Sequence, residues 1–91
     1  MARLGMDDVL VEQIGNKLKS IASGDIAQLI STIESQITLA VSNWDGKDAQ
    51  DFQGYWQQQH KPALTNLQHA IDGLGQSALN NVTEQRSVSG H

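Results

Sequence analysis

The sequence predicts an all-α chain, an antiparallel helix-turn-helix hairpin that pairs into a four-helix bundle. Three observations predict it. Apolar residues, mostly Leu, Ile, Ala and Val, recur at steps of three and four in two long stretches, with no run of strict alternation. A four-residue segment, Asn43-Trp44-Asp45-Gly46, separates the two stretches near the midpoint of the chain. Proline occurs once and aromatic residues are few. The 91 residues make one domain, 1–91, small enough to bury only a modest share of its surface. The expected elements are a helix over about 7–42, a turn over 43–46, a helix over about 47–82 and a mobile tail over 85–91.

Asp7 and Asp8 mark the first turn, one of them as the cap. Leu10, Ile14, Leu18 and Ile21 follow at steps of four, four and three, one face of a helix. Ser23-Gly24-Asp25 then interrupts the pattern, and the step from Ile21 to Ile26 is five. A kink, or a short break with Ser23 or Asp25 capping the next piece, competes there with one continuous helix carrying an exposed glycine. From Ile26 the pattern is strongest. Ile26, Ile30, Ile33, Ile37, Ala40 and Trp44 form a coiled-coil-like seam that ends on the tryptophan. Isoleucine is not the best intrinsic helix former, so packing rather than propensity decides this segment.

The turn reads as geometry. Trp44 is large enough to seal the end of a helix pair, and Gly46 takes conformations that a tight reversal needs. Asp45, Asp48 and Asp51 lie at or near the start of the second helix, where negative charge suits the exposed N–H groups. Phe52, Trp56, Gln59, Ala63, Leu67, Ala70, Leu74 and Ala78 continue the three/four rhythm. Pro62 should kink this helix or begin a new first turn, and Gly73 and Gly75 weaken its last turns. Leu29, Val41, Leu64 and Ile71 flank the stripes, more apolar surface than one hairpin covers. Pairing of two hairpins covers it. Ile26, Ile30, Ile33, Ile37, Phe52, Trp56, Leu67, Ile71 and Leu74 are the residues expected to pack the core or the dimer.

Composition narrows the function classes. Ten acidic residues against six Lys and Arg give a net charge of −4, which opposes nucleic-acid binding and charge-driven binding to anionic lipid. There is no cysteine, hence no disulfide and no thiolate site. Met1-Ala2-Arg3-Leu4-Gly5 lacks the apolar run of a secretory signal peptide, so export by that general route is not expected. The aspartates after the turn do not make a calcium loop, because the glycine comes second and Trp56 stands where a bidentate Glu is needed. His60 and His69, nine apart, fall on opposite faces of a straight helix. No nucleophile elbow or phosphate-cradling glycine loop is present. The expectation is a protein without catalytic residues, cofactor, metal or small-molecule substrate, acting through protein contacts.

Trp44-Asp45-Gly46 between two helical stripes, Phe52 eight residues on and Trp56 beyond it resemble the WXG family. These are the small early-secreted-antigen-type proteins of the bacterial type VII (Esx) secretion system, and the resemblance covers roughly Asp7 to Glu84. It implies a hairpin that forms a homodimer, or a heterodimer with a second protein of the same type. It implies export as a folded dimer by a membrane ATPase complex, from the cytoplasm to the outside, without a cleaved signal peptide. Members act as secreted, virulence-associated effectors, as export partners, or as carriers of a composite signal. That signal joins the Trp-x-Gly turn, here Trp44 and Gly46, to a Tyr-x-x-x-Asp/Glu motif near the C-terminus of the other subunit. Glu84 stands at the acidic position, but Asn80 occupies the tyrosine position, and the only tyrosine is Tyr55. The departure implies dependence on a partner that carries an intact motif. The competing class is a cytoplasmic helical adaptor or chaperone that holds a helix of a toxin or regulator in a groove.

Overall fold

The computed structural model describes residues 5–89. Asp7 starts the first arm as a cap, its Oδ1 accepting from the Leu10 N–H at 3.1 Å. This satisfies one of the donors that a helix start leaves unpaired, and Asp8 adds negative charge in the first turn. Helix α1 runs Asp8–Ser20, a widened turn of π geometry runs Ile21–Ile26, and α2 runs Ala27–Ser42. The five-residue step from Ile21 to Ile26 is therefore neither a break nor a cap. The helix continues, and the π turn takes up the one residue that a straight α-helix could not place without rotating its apolar face.

At the end of α2 the Ser42 hydroxyl and the Asn43 amide both donate to the Leu39 carbonyl, at 2.8 and 2.9 Å. The chain then reverses through Trp44 and Asp45 to Gly46, whose φ of 106° side-chain-bearing residues rarely adopt. The second arm is α3, Lys47–Tyr55, a second π turn, Trp56–His60, and α4, Lys61–Ser89. Pro62 is the second residue of α4. Its missing N–H and the clash of its ring four residues back fall where the ladder is already widened, so the helix passes through without a break.

The second helix does not end near 82, nor does a tail begin at 85: α4 continues to Ser89, and residues 90–91 lie outside the described range. Burial and ion pairing hold this extension. Val82 is buried, and Arg86 donates from Nε to Asp8 Oδ2 and from a terminal nitrogen to Glu12 Oε2, both at 2.8 Å.

Cross-arm contacts bring Gly15 beside Gly75, Ala22 beside Gln68 and Glu34 beside Trp56, the register of an antiparallel hairpin. The molecule measures 67 × 17 × 16 Å. Its radius of gyration is 19.9 Å, where a globular chain of this length would have about 12 Å. A rod of two helices has little interior. Among the described residues the buried apolar side chains are Ala22, Ile26, Ala49, Trp56 and Val82.

Candidate functional site: an apolar side and an exposed turn

The inward faces of the two arms are unlike at their two ends. Between the π turns and the reversal, Ile26 is buried and Ile30, Ile33 and Ile37 are half-buried, opposite Ala49, Phe52 and Trp56. Toward the open end the inward residues are Val11, Gly15, Leu18 and Ala22 on α1, against Leu64, Gln68, Ile71, Gly75 and Val82 on α4. The backbones meet here. A Cβ placed on Gly75 would lie 2.7 Å from the Gly15 carbonyl oxygen, and one on Gly15 would lie 3.0 Å from the Gly75 oxygen. Of the expected packing residues, Ile26, Ile30, Ile33, Ile37, Phe52, Trp56 and Ile71 face this seam. Leu67 and Leu74 do not: both are exposed, Leu74 at 61%. The reason is the second π turn. It adds a residue to the rotation after Trp56, so the inward direction moves from Ala63, Leu67, Ala70 and Leu74 to Leu64, Gln68, Ile71 and Gly75.

In an antiparallel pair of right-handed helices, residues that immediately precede inward positions share one side of the pair, and residues that immediately follow them share the other. The following side is polar and stitched across the arms. Lys19 meets Asp72 at 3.3 Å and Gln76 at 2.9 Å, Arg86 meets Glu12, and Gln57 meets Glu34 at 2.9 Å. The preceding side carries Leu10, Ile14, Leu29 and Leu39 on the first arm and Tyr55, Leu67 and Leu74 on the second, each about half exposed. Charged residues at equivalent positions include Lys17, Asp25, Asp48 and Asp51. Large apolar side chains are thus left uncovered along one side of the rod.

Trp44 and Gly46 stand at the reversal. The Trp44 ring lies over Phe52 with centroids 5.4 Å apart and planes tilted by 50°, yet 43% of the residue is exposed. It packs against Phe52 and keeps much of its surface in solvent. The other tryptophan does the opposite: Trp56 is 4% exposed, and its indole N–H donates to Glu34 Oε2 at 2.7 Å. Glu34 also accepts from Gln57 and pairs with Lys61 at 2.9 Å. The Lys61, Trp56 and Gln57 hydrogen bonds hold its carboxyl down from its ordinary 4.5 to about 2. Asp8 is likewise lowered, first by its hydrogen bond from Arg86.

Asn80 and Glu84 are exposed, one turn apart within α4, and Asn80 Oδ1 accepts from Gln76 at 2.9 Å. The helix does not end at Asn80-Asn81. His60 and His69 are both exposed, and among the described residues no three His, Asp or Glu side chains come together to hold a metal. Among the same residues no helix is long and apolar enough to cross a membrane.

Sequence reasoning passed over Glu34 and Gly15, and read Gly75 only as weakening the last turns, whereas it lets the arms meet. A signal for Glu34 existed. It is the one charged residue between Asp25 and Asp45, and folding the chain about the turn sets it opposite Trp56, whose indole needs an acceptor. Comparison of the chain with protein-family models, with curated proteins and with solved structures gave no match.

Proposed function

We propose that the chain is a small substrate or export partner of a type VII (Esx) secretion system. In this reading it docks a second hairpin on its apolar side to make a four-helix bundle and leaves the cell as a folded dimer. The observation that carries the docking is the apolar side itself, where Leu10, Ile14, Leu67 and Leu74 are exposed while the seam beneath them is built from Gly15, Ala22 and Gly75. Covering such side chains stabilises an assembly by about 25 cal/mol per Å² of apolar surface removed from water. The choice of secretion system rests on the resemblance of Trp44-Asp45-Gly46 with Phe52 and Trp56. The half-exposed indole of Trp44 at the tip of the rod supports a recognition role for the turn. Asn80 in place of tyrosine supports a partner that supplies the aromatic half of the C-terminal signal.

Sedimentation at micromolar concentration is expected to return twice the chain mass, for the chain alone or with its co-expressed partner. A stable, well-folded monomer overturns the bundle. Export measured with and without the membrane ATPase tests the route, and export that ignores the ATPase overturns it. If the protein pairs but stays in the cytoplasm bound to one helix of a toxin or regulator, the adaptor reading takes its place.

A further inference from the structure

The second arm carries two apolar stripes one residue apart. Had it stayed α-helical beyond Trp56, the inward direction would have fallen on Ala63, Leu67, Ala70 and Leu74, at steps of seven, four, three and four. It falls instead on Leu64, Gln68, Ile71 and Gly75 because Trp56–His60 is a π turn, closed by the Lys61 N–H reaching back to the Trp56 carbonyl. One side chain on the opposite arm touches both ends of that turn. Glu34 accepts from the Trp56 indole at 2.7 Å at its start, from Gln57 at 2.9 Å one residue on, and from Lys61 at 2.9 Å just past its end. Pro62 follows, with no N–H to gain from a tighter turn.

We propose that Glu34 is a register latch. By gripping Trp56 and Lys61 across the widened turn, it selects the Leu64–Gln68–Ile71–Gly75 stripe for the seam. The Leu67–Leu74 stripe is thereby presented outward. Without Glu34 the turn tightens to α geometry, α4 rotates by one residue, Leu67 and Leu74 turn into the seam, and Leu64, Gln68, Ile71 and Gly75 turn to the polar side. The outward stripe is part of the docking side proposed above, so Glu34 specifies which residues a partner meets. Glu34 sets the register of the seam whether or not that side docks anything.

The chain has no cysteine, so introduced pairs report register cleanly. Ala22 is buried beside Gln68, whose Nε2 donates to the Ala22 carbonyl at 3.0 Å. In the otherwise native chain, Ala22→Cys with Gln68→Cys is expected to cross-link and Ala22→Cys with Leu67→Cys is not. With Glu34→Ala added, the first pair loses its cross-link and the second gains one. Deleting Gln58 from the Glu34→Ala chain removes the residue that the π turn absorbs. A plain α-helix then carries the native stripe inward, and the Ala22–Gln68 pair cross-links again. An unchanged pattern in Glu34→Ala overturns the latch. So does a Glu34→Ala chain in which neither pair cross-links and the Gln58 deletion fails to restore the Ala22–Gln68 cross-link. Sedimentation of Glu34→Ala separates the two readings: Leu67 and Leu74 turned inward with pairing unaltered removes the docking side and leaves the latch standing.

Discussion

The two halves of the hairpin solve the same packing problem with opposite materials. Near the turn, Ile30, Ile33 and Ile37 lie opposite the stretch from Phe52 to Trp56, and the large side chains themselves fill the space between the arms. Toward the open end, Gly15, Ala22 and Gly75 let the backbones approach, and the large side chains next to them are left outside. In the turn half, side-chain volume stabilises the hairpin. In the open half, closeness does, assisted by the Lys19–Asp72 and Arg86–Glu12 pairs, while the volume is displayed to solvent. Exposed pairs of that kind contribute little, about 0–1 kcal/mol each. The open half is therefore expected to be the weaker half of the isolated chain and the one with most to gain from a partner.

The largest expected effect breaks the turn half. Trp56→Ala removes a buried ring and leaves the Glu34 carboxylate without its indole donor. A loss of about 3–5 kcal/mol in chemical denaturation is expected, the range for deleting a buried aromatic. Trp44→Ala is expected to cost well under half of that, because nearly half of the residue already lies in water. Equal losses at the two positions would erase the distinction between the structural and the displayed tryptophan.

Next in size is a change that pries the open half apart. Gly75→Ala sets a Cβ 2.7 Å from both the Gly15 oxygen and the Lys19 Cγ, and 3.1 Å from the Lys19 nitrogen. Lys19 Cγ can move but the Gly15 backbone cannot easily, so an overpacking loss of about 1–3 kcal/mol is expected. Gly73→Ala, two residues earlier, sharpens the contrast. A Cβ there meets nothing within 4 Å, and the change is expected to stabilise the chain by about 0.5–1 kcal/mol through helix propensity. Melts in which both variants move the same way would contradict the close approach of the arms.

The smallest effect is a pH dependence centred on Glu34. Its folded-state value is depressed, so its contribution is fully present above its ordinary 4.5 and is lost as the pH falls through about 2. Thermal melts between pH 5 and pH 2 should show a falling midpoint. In Glu34→Gln the fall should be shallower, and identical slopes would exclude Glu34 as a source. Asp8, also depressed, contributes in the same direction and remains in both chains.

The hairpin itself was legible in the residues. Periodicity marked both arms, and the turn over 43–46 lies between Ser42 and Lys47, where α2 ends and α3 begins. The five-residue step before Ile26 showed that something happens there, although propensity could not say that the helix would widen rather than break. The second π turn left only Pro62 as a mark, read as a kink or a new first turn, which does not say that the ladder widens just before it. The apolar rhythm runs unbroken through Trp56 to Leu74, and only the cross-arm bonds to Glu34 and the meeting of Gly15 with Gly75 show that the face has rotated. Leu67 and Leu74 were therefore placed on the inward stripe with Leu64 and Ile71 as flanks, the reverse of their places in the structure. The extension of α4 to Ser89 was illegible for a related reason: Arg86 is held by residues more than seventy positions earlier.

The proportions of the rod have a hydrodynamic consequence. At 67 Å by about 17 Å the hairpin is roughly four times as long as it is wide. It tumbles anisotropically, so amide groups along the helix axes and those in the turn over 43–46 relax at different rates even where both are rigid. Small-angle scattering separates length from cross-section in such a body. A second hairpin laid against the apolar side would thicken the cross-section and leave the longest dimension near 67 Å. Association through the indole at the tip would lengthen the particle and leave its girth unchanged. The shape of the pair in solution thus reports which of the two exposed features is in use, without a mutation.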